Sequence, residues 1–413
     1  MILNRTILTA MTAGLGLSTA AFGGPLNPPA GPVTSSYKTL NEVEPRIAIN
    51  ATNTPGDFEA LFVITSPGSY YLTGNIVGAS GKKGIKISAN NVTLDLGGFA
   101  MLGGGVSDDA IFANFVTNTT IRNGSIQNWV KEGIDGYNGA NCRVDGILVD
   151  SSINGYGIIT GKGSVITGCT VRNSGAGIVT TEGSTVRDCT ATGNGTGFAI
   201  GWGNTVSGCT AQDSTAGPGF QTAPGCTLSQ CAALSNHSAT GFGFELGGGN
   251  TVIGCTAHNN DQDGFHVQTG NSNVLITTCT SQLNKGNGIK TENGIGFNIS
   301  GNNCSRNNVN GIWVSGGSTV TNNTCENNGT LVGAATSGIY VSFSYNRIDG
   351  NHVLASTYGI AVAAGMTNNL VVRNTATLCT THYSFPAGVT YGAINALATG
   401  SFAETNSMAN LRF

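Results

Sequence analysis

Apolar and polar residues alternate in short segments along most of this chain. In the stretch Cys255–Thr280, Gly264 is followed by the triplet Phe265–Val267, and Ile276 stands three positions before Cys279. Alternation at period two is typical of β-strands, and no segment in between shows a helical period over ten residues. The pattern therefore predicts two or three short strands per repeat, separated by turns rich in Gly and Asn.

This unit recurs along the chain at spacings of 20 to 27 residues. The glycine that precedes the first predicted strand occupies eleven equivalent positions: Gly133, Gly157, Gly177, Gly197, Gly219, Gly243, Gly264, Gly288, Gly311, Gly338 and Gly359. Weaker copies begin at Gly84 and Asp109. A second element, apolar-x-x-Cys, aligns six cysteines: Cys169, Cys189, Cys209, Cys231, Cys255 and Cys279. Repeats of this length predict a solenoid in which each coil stacks on the one before.

Composition and charge narrow the class of protein. The chain has 413 residues, of which 63 are Gly, and only 9% are charged, with a net charge of −3. Abundant glycine suits a coil with several turns per repeat. The chain has no basic stripe, so we expect no nucleic-acid partner.

The N-terminus has the features of a secretory signal. Arg5 precedes an apolar run that extends to Ala21, and small residues precede a cleavage point before Gly24. We expect four regions: a signal peptide (1–23), an extended Pro/Ala/Thr-rich leader (24–56), the repeats (57–380) and a C-terminal cap or tail (381–413). The protein is then secreted, periplasmic or on the cell surface, and the mature chain does not insert into a membrane.

The repeats over roughly residues 60–380 resemble a right-handed parallel β-helix of the pectin-lyase-like superfamily. The resemblance implies an all-β fold: a single solenoid of about twelve coils with terminal caps. At about 4.8 Å per coil it would be on the order of 60 Å long. The superfamily includes polysaccharide lyases, glycoside hydrolases, esterases, phage spikes and secreted repeat proteins, so the fold does not determine the activity.

The aligned cysteines have a structural explanation. Stacked coils place their Cβ atoms about 4.8 Å apart, beyond the usual ~3.8 Å of a disulfide. We therefore expect mostly reduced, buried thiols that act as small hydrophobic side chains. Asparagine takes the same position farther along, at Asn302, Asn323, Asn351 and Asn374. Four more asparagines, each five residues after an aligned cysteine, predict a second ladder of stacked amides: Asn194, Asn236, Asn260 and Asn284.

The central residue of each Gly-apolar-x-apolar segment should point outward. Along consecutive coils these residues are Asp135, Ile159, Val179, Ala199, Gln221, Glu245, His266, Lys290, Trp313, Tyr340 and Ala361. The next outward position gives Gln268, Glu292, Ser315 and Ser342. We predict a carbohydrate-binding face made of Glu245, His266, Gln268, Lys290, Glu292, Trp313 and Tyr340, because aromatic rings with nearby polar groups suit sugars. A solvated face with ordinary cross-strand pairs remains the alternative.

Catalysis is a second hypothesis for the same face. The segment Asp261–Val267 resembles the Asn-Thr-Asp-Gly-Phe-Asp-Ile motif of polygalacturonases, with Asp263 at the motif Asp. The Asp pair expected one coil later is Asn287-Gly288 here, and the Gly-His-Gly motif is Val309-Asn310-Gly311. Glycosidic hydrolysis needs two carboxylates, so Glu245 or Glu292 would have to partner Asp263.

A lyase would instead need a metal and a base. Asp261, Asp263, Glu245 and Glu292 would hold calcium, with Lys290 as the base. Without such a lyase we expect no cofactor. Three functions remain open: a non-catalytic protein that contacts polysaccharide or a cell surface, a polysaccharide lyase or glycoside hydrolase, and a structural or adhesive rod.

Overall fold

The computed structural model describes residues 44–152, 154–329, 336–396 and 406–413. Every described strand lies within residues 46–413, which form one compact unit. The predicted signal peptide and most of the predicted leader lie outside the described residues. Within those that are described, no helix is long and apolar enough to cross a membrane.

Fifteen strands, one from each coil, form a parallel sheet that we call the front sheet. Most of its strands contain the glycine of the repeat or begin directly after it. They are Ala60–Ile64, Lys83–Ile87, Ile111–Phe112, Ile134–Ala140, Tyr156–Lys162, Ala176–Thr180, Thr196–Ile200, Phe220–Thr222, Phe244–Leu246, Phe265–Val267, Ile289–Thr291, Ile312–Val314, Ser337–Val341, Tyr358–Val362 and Thr381–Ser384. The β-solenoid is confirmed, with about fifteen coils where the repeat pattern predicted about twelve.

The other thirty strands form two parallel ladders that are joined where the two longest strands, Thr120–Trp129 and Arg143–Ser152, belong to both. The first ladder also contains Ile47–Ala48, Gly68–Tyr71, Val92–Asp95, Val165–Thr167, Thr185–Arg187, Thr205–Ser207, Thr227–Ser229, Thr251–Ile253, Leu275–Thr277, Asn298–Ser300, Thr319–Thr321, Arg347–Asp349, Leu370–Val372 and Thr390–Tyr391. The second contains Ile76–Val77, Ala100–Leu102, Thr170–Arg172, Thr190–Thr192, Thr210–Gln212, Ala232–Leu234, Thr256–His258, Thr280–Gln282, Asn303–Ser305, Thr324–Glu326, His352–Leu354, Thr375–Thr377, Ile394–Ala396 and Asn410–Arg412.

The core is a narrow column of side chains that repeat from coil to coil. Phe198, Phe220, Phe244 and Phe265 stack with ring centroids 4.7 to 4.8 Å apart, which is the spacing between neighbouring parallel strands. All four rings are fully buried. The apolar positions of the repeat therefore face inward, as the alternation predicted.

The aligned cysteines lie at the corner between the two ladders. All eleven cysteines are buried and free, which confirms the predicted ladder of reduced thiols. The residue before each aligned cysteine is left-handed, with φ of 53° to 62°: Gly168, Asp188, Gly208, Gln230, Gly254 and Thr278. Each thiol donates to the carbonyl two residues earlier at 3.2 to 3.5 Å. The cysteines thus also satisfy a backbone carbonyl at the turn.

Asparagine performs the same task in the later coils. Asn302 donates from Nδ2 to Oδ1 of Asn323 at 3.0 Å and to the Ile276 carbonyl at 2.9 Å, and the pattern continues through Asn351 and Asn374. The second predicted ladder also forms. Its amides link Asn236, Asn260, Asn284, Asn307 and Asn328 at 2.7 to 3.0 Å. Ser214 takes the position between Asn194 and Asn236, so Asn194 stands apart from this chain of amides.

Strands at both ends of the solenoid lie outside the predicted bounds of the repeats, 57–380. The strand Ile47–Ala48 lies within the predicted leader and pairs with Gly68–Tyr71. At the other end, Thr381–Ser384 is the last strand of the front sheet and lies in the predicted cap. The strand Asn410–Arg412 pairs with Thr375–Thr377, so part of the C-terminal segment covers the last coils.

Candidate functional site

Strand register aligns the predicted carbohydrate-binding residues on the outer face of the front sheet. Glu245 pairs with His266, His266 with Lys290, Lys290 with Trp313, and Trp313 with Tyr340. Four steps of about 4.8 Å give a column roughly 19 Å long. We call these five residues the central column.

His266 is less exposed than its outward position predicted. Only 9% of the residue is accessible, because its ring stacks on Phe242 with centroids 4.3 Å apart and planes 17° apart. Nδ1 of His266 lies 3.0 Å from Oδ2 of Asp263, which is itself 5% exposed. The imidazole is therefore fixed in orientation on one face and at one nitrogen.

Asp263 is held in place from the following coil. Its Oδ1 accepts hydrogen bonds from the backbone N–H of Asn287 at 2.6 Å and from Nδ2 of Asn287 at 2.8 Å. An ionised carboxylate at this position can only accept, which requires the proton on Nδ1 of His266 and, in a neutral ring, leaves Nε2 as an acceptor. Asn310 donates to Asn287, and the N–H of Ser337 donates to Asn310. The side chains of Asp263, Asn287 and Asn310, together with the backbone N–H of Ser337, form a third polar ladder beside the central column.

The part of the column from Lys290 to Tyr340 combines charge with aromatic surface. Lys290 forms an ion pair with Glu292, which also accepts a hydrogen bond from Thr269 at 2.8 Å. The hydrogen bond from Lys290 lowers the pKa of Glu292. Nζ of Lys290 lies 5.5 Å from the ring centroid of Trp313, within cation–π range. Trp313 meets Tyr340 edge to face, with centroids 4.8 Å apart.

The surface around Glu245, at the other end of the column, is more polar. Glu245 accepts a hydrogen bond from Nε2 of Gln221 at 2.9 Å. Gln268 lines a cavity of about 450 Å³ together with Val179, Ala199 and Gln221. Ser315 was predicted to point outward, but it is buried, because its hydroxyl donates to the Gly294 carbonyl at 3.0 Å and its backbone N–H donates to Oγ1 of Thr291 at 2.9 Å.

The two aspartates proposed as calcium ligands have different partners. Asp261 bonds to Lys285 at 2.7 Å and to Nδ1 of His237 at 3.1 Å, whereas Asp263 bonds to His266 and Asn287. Burial opposes ionisation of Asp261, but its two hydrogen bonds lower its pKa overall. Among the residues that the structure describes, no three His, Cys, Asp or Glu side chains are grouped to hold a metal.

Comparison with known proteins identifies the family. The right-handed β-helix region matches residues 157–292 and 202–376, which together cover more than half of the chain. The chain belongs to this right-handed β-helix family. No curated protein sequence matches it.

Several solved structures are similar to this β-helix. The A-module of mannuronan C-5 epimerase AlgE6 from Azotobacter vinelandii is 16% identical with a TM-score of 0.45, over 78% of this chain and 90% of that one. The periplasmic alginate epimerase AlgG is 11% identical with a TM-score of 0.40, over 88% and 80%. PfbA, a surface adhesin of Streptococcus pneumoniae, is 10% identical with a TM-score of 0.38, over 84% and 91%.

Two supporting residues of this β-helix were not predicted from the sequence. Phe242 stands directly before the repeat glycine Gly243, but it is apolar where the following coils carry polar residues, and nothing in the sequence marks it as the partner of His266. Asn287 was noted only as a departure from the polygalacturonase motif. A signal for its role does exist, because Asp263, Asn287, Asn310 and Ser337 each precede the repeat glycine directly.

Proposed function

We propose that the central column binds a polysaccharide chain. The observation that carries this proposal is the unbroken register from Glu245 to Tyr340, which aligns charged, polar and aromatic side chains on one face. The apolar N-terminal run supports a protein that acts as a secreted, periplasmic or cell-surface protein, where such polymers are found.

The central column and two residues beside it, Gln268 and Glu292, have separate roles in this proposal. The partly exposed rings of Trp313 and Tyr340 offer apolar surface to the faces of sugar rings. Glu245, Gln268 and Glu292 orient hydroxyl groups by accepting or donating hydrogen bonds. A column of about 19 Å accommodates a few sugar units along the solenoid axis.

The test is a glycan-array screen followed by titration of Trp313→Ala. We expect this variant to lose about 1–3 kcal/mol of binding free energy, the range typical of truncated aromatic anchors. Phe58→Ala is the matched control, since Phe58 is 85% exposed and lies in an early coil, far along the axis. A glycan that binds wild type and Trp313→Ala equally well would show that the site lies elsewhere. No hit on any glycan would leave the structural rod.

The orientation of His266 favours a second candidate function, the β-elimination of a polyuronide. Nε2 would take the proton from the carbon that bears the carboxylate, and the released electron pair would form the double bond. The glycosidic oxygen would then leave and take a proton from water. Lys290, the register neighbour of His266, would offset the charge of the substrate carboxylate.

An absorbance assay for unsaturated products on polygalacturonate and alginate tests this activity. We expect His266→Gln to abolish product formation while Trp313→Ala mainly weakens binding. Absence of unsaturated product from wild type on both polymers would exclude elimination of these substrates and would leave the binding proposal standing.

A further inference from the structure

A bulge interrupts the front sheet several coils before the central column. In the strand Ile134–Ala140, Gly136 pairs with Thr160 and Ala140 pairs with Lys162. Residues 137–139 therefore stand opposite Gly161 alone. A Cβ at Gly161 would collide with backbone carbonyl oxygens of the bulge, so only glycine fits beneath it. Such bulges re-aim side chains and are frequent beside functional sites.

The bulge forms one wall of a groove. Tyr137 projects from it and is 50% exposed. A cavity of about 370 Å³ lies beside this ring, with Tyr156 on its border and Ile159 and Val179 as an apolar floor. The carboxylates Glu132 and Asp135 also line it, and Asp135 accepts a hydrogen bond from the backbone N–H of Tyr137.

The groove continues along the edge of the front sheet. A second cavity, of about 600 Å³, shares Tyr137 and runs past Lys162 and Glu182 to Trp202. Backbone hydrogen bonds from Gly163 to Glu182 and from Gly183 to Trp202 place these last side chains on successive coils. Trp202 is 65% exposed, although large aromatic residues are usually mostly buried.

We propose that this groove is a second carbohydrate-binding site, separate from the central column, and that it takes an uncharged glycan. Tyr137, Tyr156 and Trp202 provide flat apolar surfaces at intervals across several coils, and Ile159 and Val179 add apolar surface in the first cavity. Sugar rings present both an apolar face and a hydroxyl rim to such a surface. We call this surface the bulge groove.

Charge selects among glycans. The polar lining holds three carboxylates, Glu132, Asp135 and Glu182, against one ammonium group, that of Lys162. A polyuronide would bring further negative charge to this end and would be repelled. Burial raises the pKa of Asp135, in agreement with a carboxyl that is shielded from water by its groove.

The two surfaces occupy different coils. Five register steps, roughly 24 Å at about 4.8 Å per step, lead from Asp135 at one end of the groove to Glu245. Trp202, at the other end of the groove, lies on the coil of Ala199, two steps or about 10 Å from Glu245. Three further steps lead to Trp313, so the two tryptophans can be tested independently.

The three tryptophans allow a direct test by fluorescence. Trp129 is fully buried, whereas Trp202 reports on the bulge groove and Trp313 on the central column. In full-length Trp313→Phe protein, neutral glucan, mannan and galactan hexasaccharides are titrated in parallel with a galacturonate hexasaccharide. We expect at least one neutral glycan to change the emission of Trp202 and to shield it from acrylamide, while the galacturonate does not.

Variants complete the experiment. Trp202→Ala and Tyr137→Ala should each weaken calorimetric binding of the neutral glycan about ten-fold or more, while Trp313→Ala leaves it unchanged. Because Trp202 is mostly exposed, the melting temperature of Trp202→Ala should match that of wild type. The proposal is overturned if no neutral hexasaccharide binds, if galacturonate binds equally well, or if Trp313→Ala weakens the same binding. Failure of the central column leaves this outcome unaffected.

Discussion

Asp263 contacts His266 through one carboxylate oxygen and Asn287 through the other. The carboxylate therefore connects an imidazole on one coil to the backbone of the next. This arrangement sets both the direction of the ring and the nitrogen that carries its proton. The acceptor nitrogen Nε2 is the atom on which any proton transfer at this face would depend.

Replacing Asp263 by asparagine should reverse the histidine tautomer. In Asp263→Asn the side-chain oxygen keeps its bonds from Asn287, and the new amide donates toward Nδ1 of His266. Nδ1 then becomes the acceptor and the proton moves to Nε2. We expect exchanged ¹⁵N shifts of the two ring nitrogens in NMR, and a loss of any elimination activity by about 10²- to 10⁴-fold with binding retained.

The control for this variant is Asp261→Asn. Asp261 bonds to Nδ1 of a different histidine, His237, so only the His237 signals should change. If His266 keeps its proton on Nδ1 in Asp263→Asn, the carboxylate does not determine the tautomer and our assignment of Nε2 is wrong.

Charge introduced into the cysteine ladder should destabilise the solenoid. Cys209 is 1% exposed, so Cys209→Asp would bury an unpaired carboxylate and lower the free energy of unfolding by several kcal/mol. Cys209→Ala and Cys209→Val lose only the weak thiol hydrogen bond and some packing, at a cost of about 1 kcal/mol. Chemical denaturation measures the three values. Equal, small effects would mean that the column does not face the core.

Removal of one amide from the second asparagine ladder should cost more than removal of an exposed amide. Oδ1 of Asn307 accepts from the backbone N–H of Asn284 at 3.2 Å, and its Nδ2 donates to the Ser281 carbonyl at 3.1 Å. Asn307→Ala leaves both groups buried without a partner, which should cost about 2–4 kcal/mol. Asn298→Ala, at an exposed position, should change stability by less than about 0.5 kcal/mol. Matching denaturation midpoints would contradict a stabilising ladder.

The stability of the early coils should depend on pH through Asp109. Burial raises the pKa of Asp109 from 3.8 to about 8, and Glu132 adds to this effect. The folded protein therefore retains a proton that the unfolded chain has lost between pH 4 and pH 8, so stability falls as pH rises through this interval. Asp109→Asn should remove this fall, which is on the order of a few kcal/mol. Melting temperatures across the interval measure it.

Asp349 provides a control of opposite sign. Hydrogen bonds from Arg373 and Arg347 lower its pKa, so its stabilising effect is present at neutral pH and is lost as pH falls below the ordinary aspartate pKa of 3.8. Asp349→Asn should therefore lower the melting temperature at pH 7 and much less near pH 3. A variant of Asp109 that melts like wild type at every pH would show that this carboxyl is solvated in the folded protein.

The solenoid and the central column were predictable from the sequence because both follow from periodicity. Alternation determines which residues face outward, and repeats of similar length bring Lys290 beside Trp313 in register. The burial of His266 was not predictable, because the sequence does not show that the ring of Phe242, which precedes a repeat glycine, stacks on a residue of the next coil. The hydrogen-bonding role of Cys209 was also missed, since burial alone explains why a cysteine stands there.

The bulge groove shows the same limit. Ile159 and Val179 belong to the repeat and were placed correctly on the outer face, but these apolar side chains gave no indication of a groove. What makes the surface concave is the insertion at Tyr137, which breaks the repeat, and Trp202, which stands in a turn. Periodicity cannot assign a residue that departs from the repeat to the inner or the outer face. The positions of Tyr137 and Trp202 therefore had to come from the structure.

Because whole coils stack on one another, equivalent positions along the solenoid are spaced in steps of about 4.8 Å. Five steps separate Ala199, three residues before Trp202 in the chain, from Trp313. Neighbouring coils share one register. Gain or loss of a single repeat between the two aromatic surfaces would therefore move them apart or together by one step and leave each surface intact. The distance between the two proposed glycan sites can therefore change only in whole steps of one coil, and neither surface has to change with it.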